Sequence, residues 1–366
     1  MSPNVPSHSL LPGRPLRLGF LALTDAAPLV AAHELGWFNA LGLRVELCRE
    51  VGWATIRDKV LYGELDAAHA PAPMLWAAQL GLGCGPADVC TGFIFNLHGN
   101  ALTLSTRLWE AGVRDAATLR EEALRRRGEN KLTFGIVFAH SMHHVLLRQW
   151  LRDARLDPER DVRVAVVPPA QMFRNLVAGT LDGYCAGEPW NTLAVQQNQG
   201  WCPAWSSTLA PGHVEKVLLV RSAFAERHAE EHGRLIAALT AAARWCDDPS
   251  NRPELARLLS APAYLDLPAE VIAPSLLGQF SPRPGSVEAV PDFHVFHRGG
   301  ANIPTADRAT TLQNDLVAAG VIPRSPLTVS LPHRLFREDL HREATANLDP
   351  HAPPPSKLPG GTFVPA

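Results

Sequence analysis

Three histidines fall within five residues at His140-Ser-Met-His143-His144, where a strand gives way to a helix. Imidazoles this dense can bind a metal or offer a donor to an anion. No cysteine or carboxylate stands beside them to complete a metal shell, so the anion reading is preferred. Trp53 follows Gly52 in a strand–helix loop, and its indole N–H donates without accepting, which suits an anion. Burial in the core is the other fate open to a tryptophan. Asn100 is an amide after Gly99, read either as a donor or as a turn residue. Lys216 precedes a strand and offers a full positive charge, although most lysines lie on the surface. Glu188, in Gly187-Glu-Pro-Trp190, is ambiguous, because a carboxylate beside an anion must itself be paired. Asp25 and Asp58 read as helix caps or salt-bridge partners, and His69 as a satisfied, half-buried histidine.

Signatures of catalysis are missing. There is no G-x-S-x-G, P-loop, dinucleotide-binding glycine pattern or H-E-x-x-H. His228-Ala-Glu-Glu-His232 fits the inverted zinc motif but lies in a charged stretch, so it reads as a solvated helix face. The six cysteines, Cys48, Cys84, Cys90, Cys185, Cys202 and Cys246, are scattered and read as free thiols of a reducing compartment. With 366 residues, 46% hydrophobic and 19% charged, the chain is long enough for two domains. A net charge of −2 gives no basic face for nucleic acid or an anionic membrane. The polar, proline-bearing start lacks the apolar core of a secretory signal, which leads to the expectation of a cytoplasmic protein without membrane insertion.

These residues must be positioned by alternating strands and helices. Leu16–Ala22, Leu43–Leu47 and Leu65–Ala70 read as strands, with helices from about Ala54 to Tyr62 and from Pro73 to Leu80. Lys131–Phe138 and Val162–Val167 are strands of a second unit, with helices at His143–Ala154 and Gln171–Ala178. Val214–Arg221 is a strand that re-enters the first unit. The expected architecture is α/β, with two lobes joined by two crossovers and a ligand cleft between them. Lobe I spans 16–105 and 214–300, and lobe II spans 106–213. A disordered leader covers 1–15. Helices over 301–348 pack on the lobes, and a Pro/Gly-rich tail follows from 349 to 366. Ligand donors then fall in the loops Leu23–Ala27, Cys48–Ala54, Asn96–Ala101, Ala139–His144 and Ala186–Asn191.

Eight segments in order carry a resemblance: Thr24-Asp-Ala-Ala-Pro28, Gly36-Trp-Phe38, Trp53-Ala-Thr-Ile-Arg-Asp58, Asp66-Ala-Ala-His69, Asn96-Leu-His-Gly-Asn100, Val167-Pro-Pro-Ala-Gln-Met172, Gly187-Glu-Pro-Trp-Asn191 and Arg244-Trp-Cys-Asp247. From Leu16 to Asn347 the chain resembles the nitrate- and bicarbonate-binding proteins of bacterial uptake systems, the NrtA/CmpA type, with a periplasmic-binding-protein-like fold. Within that group it resembles most the cytosolic nitrate/nitrite sensors (NasS). The resemblance implies that Trp53, Asn100, His143 and Lys216 contact nitrate or nitrite, with Glu188 orienting Lys216 or His143. Asn100 departs from the family's glutamine, and His140-Ser-Met142 from its Gly-Gly-Thr. The bicarbonate branch uses a carboxylate near Glu188 to hold calcium; the lysine here implies no metal and no cofactor. For the sensor branch the resemblance implies a partner, an ANTAR-type RNA-binding antiterminator (NasT-like), held without ligand and released with it. An importer's binding subunit is the alternative. A third is an enzyme like the pyrimidine synthases of thiamine formation, whose cysteine-rich iron motif these cysteines do not supply.

Overall fold

Short apolar runs bounded by turns form the strands, and amphipathic or buried helices fill the gaps between them. In a computed structural model of the chain, residues 14–126, 128–325, 328–349, 353–355 and 363–364 are described. The leader lies outside them up to residue 13. One sheet contains β1 (Leu16–Phe20), β2 (Val45–Arg49), β3 (Ala67–Pro71), β4 (Val89–Cys90), β5 (Ile94–His98) and β11 (Val214–Arg221). The other contains β6 (Asn100–Ser105), β7 (Thr133–Ile136), β8 (Arg163–Val166), β9 (Gly183–Gly187) and β10 (Gly200–Trp205), in the order β10-β6-β9-β7-β8. β1 pairs parallel with both β2 and β3, and β7 pairs parallel with both β8 and β9. Strands β3 and β9, each with a parallel neighbour, are buried along their whole length, as is β5, which pairs antiparallel with β11.

The chain leaves the first sheet at His98 and Gly99, both with positive φ (63° and 99°). A Cβ on Gly99 would lie 2.7 Å from His294 Nδ1, so this turn requires glycine. Asn100 therefore already belongs to the second sheet. Lobe I ends at this turn, not at residue 105 as the sequence reading places it. The chain returns through the short helix Ser206–Leu209 into β11.

A second correction concerns 214–300, which is not confined to lobe I. Gln279–Phe280 and Glu288–Ala289 form a hairpin strap that crosses to the second lobe. There Cys202 N–H donates to Pro282 O at 2.7 Å, and Phe280 packs on Trp205. The chain then returns at His294–Val295 to pair with β5. Of the helices expected over 301–348, the last segment forms two, Leu331–Leu335 and Glu338–Thr345, rather than one. Phe336 breaks it by turning inward, where Arg337 N–H donates to Thr91 O. In the tail, Phe363–Val364 lies as an edge strand against β2.

Candidate functional site

The candidate site forms where strands of both sheets end. Asp25 lies in the 3-10 turn Thr24–Ala26 after β1. Trp53 begins the helix Trp53–Tyr62 after β2. His69 lies on β3, and Glu215 and Lys216 on β11. The second lobe supplies Asn100 at the start of β6 and His143 in the first turn of the helix Met142–Asp153. Ser141 caps that helix by accepting from the His144 N–H, which orients the turn carrying His143. The strand ends and helix N-termini chosen from the sequence therefore do meet, with all seven of these side chains buried.

Lys216 is at the centre of the cluster. Its Nζ donates to Glu215 Oε1 at 2.6 Å and to Asp25 Oδ2 at 2.7 Å, and it lies 5.5 Å from the centre of the Trp53 ring. Glu215 and Lys216 are neighbours on a strand and would ordinarily point to opposite faces. Irregular pairing between β11 and β5, with register shifts on both sides of Lys216, brings their ends together. Glu215 Oε2 also accepts from Asn100 Nδ2 at 2.6 Å and lies 3.3 Å from His213 Nε2. His143 Nδ1 is 3.6 Å from Glu215 Oε1, too long for a hydrogen bond but within direct electrostatic reach. His69 lies with Nε2 3.0 Å from Asp25 Oδ1, its ring between Trp53 and Phe95.

Burial alone would raise the Asp25 carboxyl, but Lys216 and His69 outweigh it and hold it well below the usual carboxylate range. Burial would likewise raise Glu215, and Lys216 with His143 and His213 holds it far down. Lys216 is pushed down by burial and up by its two carboxylates, with a net rise. His143 is lowered to about 4, chiefly by burial. The cluster thus holds two carboxylates and one ammonium, and its His143 imidazole is neutral at ordinary pH.

Four site expectations need correction. Lys216 is not a free positive charge, because two carboxylates neutralise it. Asn100 gives its amide nitrogen to Glu215, so only Oδ1 remains to meet a ligand. Glu188 pairs with neither Lys216 nor His143. Its Oε2 accepts from the Thr192 N–H at 3.1 Å in the first turn of the helix Trp190–Gln196, and burial pushes its carboxyl up to about 7. Glu188 still joins the lobes through its backbone, which accepts from Thr24 N–H and donates to Gly99 O. Finally, His69 is fully buried rather than half-buried, with its Nε2 against the Asp25 carboxylate. Among the other motifs, His232 is buried against Phe224 and not on a solvated face. His144 turns away to Ala139 O.

Glu215 is the residue that sequence reasoning missed. It does what Glu188 was expected to do, and the signal for it was its position beside Lys216. Several buried polar atoms around the cluster have no hydrogen-bond partner in the protein: Trp53 Nε1, both His143 nitrogens, Thr24 Oγ1 and Asn100 Oδ1. Buried polar groups are ordinarily paired, so these atoms mark a site built to receive a small polar group. Among the described residues, no group of three His, Cys, Asp or Glu side chains has metal-binding geometry.

Two α/β lobes with a buried polar cluster between them define a periplasmic-binding-protein-like receptor. The NMT1-like family matches residues 11–260, and the chain belongs to that family, in its NrtA/CmpA-type branch. It is 37% identical over 336 residues to the nitrate import ATP-binding protein NrtC of Synechocystis sp., covering 91% of this chain and 50% of that one. The bicarbonate transport ATP-binding protein CmpC of Synechococcus elongatus is 37% identical over 335 residues, covering 91% and 49%. The chain therefore spans about half the length of these curated relatives. The nitrate/nitrite binding protein NrtA of Synechococcus elongatus is 30% identical over 342 residues, covering 89% and 76%. Among solved structures, the periplasmic nitrate-binding protein NrtA from Synechocystis superposes with a TM-score of 0.86 at 28% identity, covering 91% and 89%.

Proposed function

We propose that this chain is the anion-binding module of a nitrate- or bicarbonate-type import system, and that it binds its ligand without transforming it. One observation carries the reading. Unpartnered buried polar atoms from both lobes, Trp53 Nε1 and the His143 ring nitrogens, belong to side chains that border the Lys216 cluster. A ligand of four atoms brings little binding energy, so the side chains that receive it must be positioned in advance. Packing and a cap fix both of these.

The names of the relatives support import over the sensor reading, since they describe nitrate import, bicarbonate transport and nitrate/nitrite binding. Release of an ANTAR-type antiterminator is a finer reading that these names do not reach. Two relatives are ATP-binding proteins, which must meet ATP in the cytoplasm, and this favours a cytoplasmic location for the module. The chain has no P-loop, so we read it as the counterpart of the part of those proteins that does not bind nucleotide.

Calorimetric titration of the purified chain with nitrate, nitrite, bicarbonate and sulfate tests this reading. Saturable binding of nitrate, nitrite or bicarbonate supports it. Heat from none of them, or from sulfate alone, refutes it.

A further inference from the structure

We propose that the anion enters this site together with one proton, and that His143 holds the proton in the complex. The inference rests on the anion-receptor reading above and adds its regulation by pH.

Asp25 and Glu215 face Lys216 inside a cluster whose side chains are all buried, so two negative charges meet one positive charge. An anion added to that cluster would join an existing excess of negative charge, out of reach of water. Uncompensated buried charge is among the most costly things a protein can hold, and a titrating neighbour ordinarily changes state instead. The groups facing His143 are Glu215 and Lys216 on β11, Asp25 on the turn after β1, and His213 before β11. Of these, Lys216 is already protonated and it holds both carboxylates far below their usual range, which makes them poor bases, so an imidazole is the group that most readily takes up a proton.

His143 is the best placed. Its Nδ1 faces Glu215 Oε1 at 3.6 Å, and that oxygen can only accept. The neutral tautomer compatible with this contact has its hydrogen on Nδ1. Nε2, buried and without a partner, then carries a bare lone pair, the wrong polarity for an anion. A proton taken from solvent onto Nε2 turns it into a donor and supplies the missing positive charge. The N-terminal turn of its helix opposes this protonation when the site is empty. Burial adds to that, so the free imidazole stays neutral. The bound anion and Glu215, one on each side of the ring, reverse the balance.

Between about 4, where the free imidazole titrates, and the raised value in the complex, the complex holds one proton more than the free protein. Affinity in that window falls about tenfold for each unit of rising pH.

The test is calorimetric titration with sodium nitrate at about pH 5.5 and about pH 6.5, in buffers of differing ionisation enthalpy. Nitrate does not itself titrate in this range, so any proton taken up resides on the protein. The expected result is uptake approaching one proton per nitrate and tenfold weaker binding at the higher pH. Nitrate binding without proton uptake overturns the proposal and leaves the receptor reading intact. Binding that needs an added divalent cation, without proton uptake, also overturns it. His143→Gln should abolish the uptake, and uptake that persists in a folded His143→Gln protein assigns the proton elsewhere and refutes the role of His143. No nitrate binding at either pH, with bicarbonate binding retained, refutes the proposal alone; no binding of any anion refutes both readings.

Discussion

Lys216 Nζ lies 2.7 Å from Asp25 Oδ2, and this buried ion pair joins β11 to the turn after β1. The same ammonium holds Glu215, which in turn holds Asn100 of the second lobe. The lysine is therefore part of the frame between the lobes, and the groups left over to donate to a ligand are the Trp53 indole, the Thr24 hydroxyl and, once protonated, His143. Attraction of an anion must then come from fixed donors more than from net charge.

Replacing Lys216 by Met leaves Asp25 and Glu215 as neighbouring buried carboxylates without a cation. The expected cost is about 3–5 kcal/mol, together with loss of anion binding. Denaturant unfolding at neutral pH measures the first and calorimetry the second. A loss below about 1 kcal/mol would mean that the ion pair is not structural.

Trp53→Phe keeps an aromatic ring beside His69 and removes only the indole N–H. Because that N–H has no partner in the protein, anion affinity should fall about tenfold, the worth of about 1.4 kcal/mol, while the unfolding curve keeps its shape. Calorimetry of the variant with unchanged affinity would remove Trp53 from the site.

Glu188 has the opposite pH signature to the other carboxylates of the site. Its folded value is about 7, raised by burial above the value of about 4.3 in an unfolded chain. Its contribution to stability is full below about pH 4.3 and is lost as pH rises through about 7. Glu188→Gln keeps an acceptor for the Thr192 N–H and removes the ionisation. It should stabilise the protein above neutrality by about 1–3 kcal/mol, read from urea midpoints at about pH 8. A destabilised variant at that pH would contradict the assignment.

Acid should weaken the fold before the Asp25 and Glu215 carboxylates protonate. Burial lowers His143, His98 and His232 to about 4 and His294 to about 3, against about 6.5 unfolded. Their contribution is complete above about pH 6.5 and is lost as pH falls towards those values. The Asp25 and Glu215 pairings are lost only below about pH 4. Guanidinium midpoints should therefore drop steadily between about pH 7 and about pH 5, and a flat profile across that range would show that these histidines are solvated.

Periodicity made much of the fold readable. The strand over Val214–Arg221 forms as expected, and the helix expected from about Ala54 begins one residue earlier, at Trp53. Strand β10 was missed because Gly200 and Pro203 break its pattern, which an edge strand tolerates. The lobe boundary was misplaced because β5 and β6 are separated only by Gly99, so no linker composition marks the crossover. At the candidate site, residue types and loops singled out Trp53, His143 and Lys216, side chains that the fold brings into one buried cluster. Glu215 stayed hidden because strand alternation sends it to the opposite face, and only the irregular pairing of β11 brings it back. The burial of Asp25 beside His69 depends on contacts between distant segments that no local pattern encodes.

The central claim is that a small anion is held between the lobes by Trp53 and the Lys216 cluster. The most direct test is the indole N–H resonance of Trp53, identified by its loss in Trp53→Phe and followed by nuclear magnetic resonance as sodium nitrate is added. The account predicts a saturable downfield shift of that resonance, with the indole of Trp150, buried in the core of the second lobe, unmoved. Nitrate binding seen by calorimetry with the Trp53 resonance unmoved would contradict it.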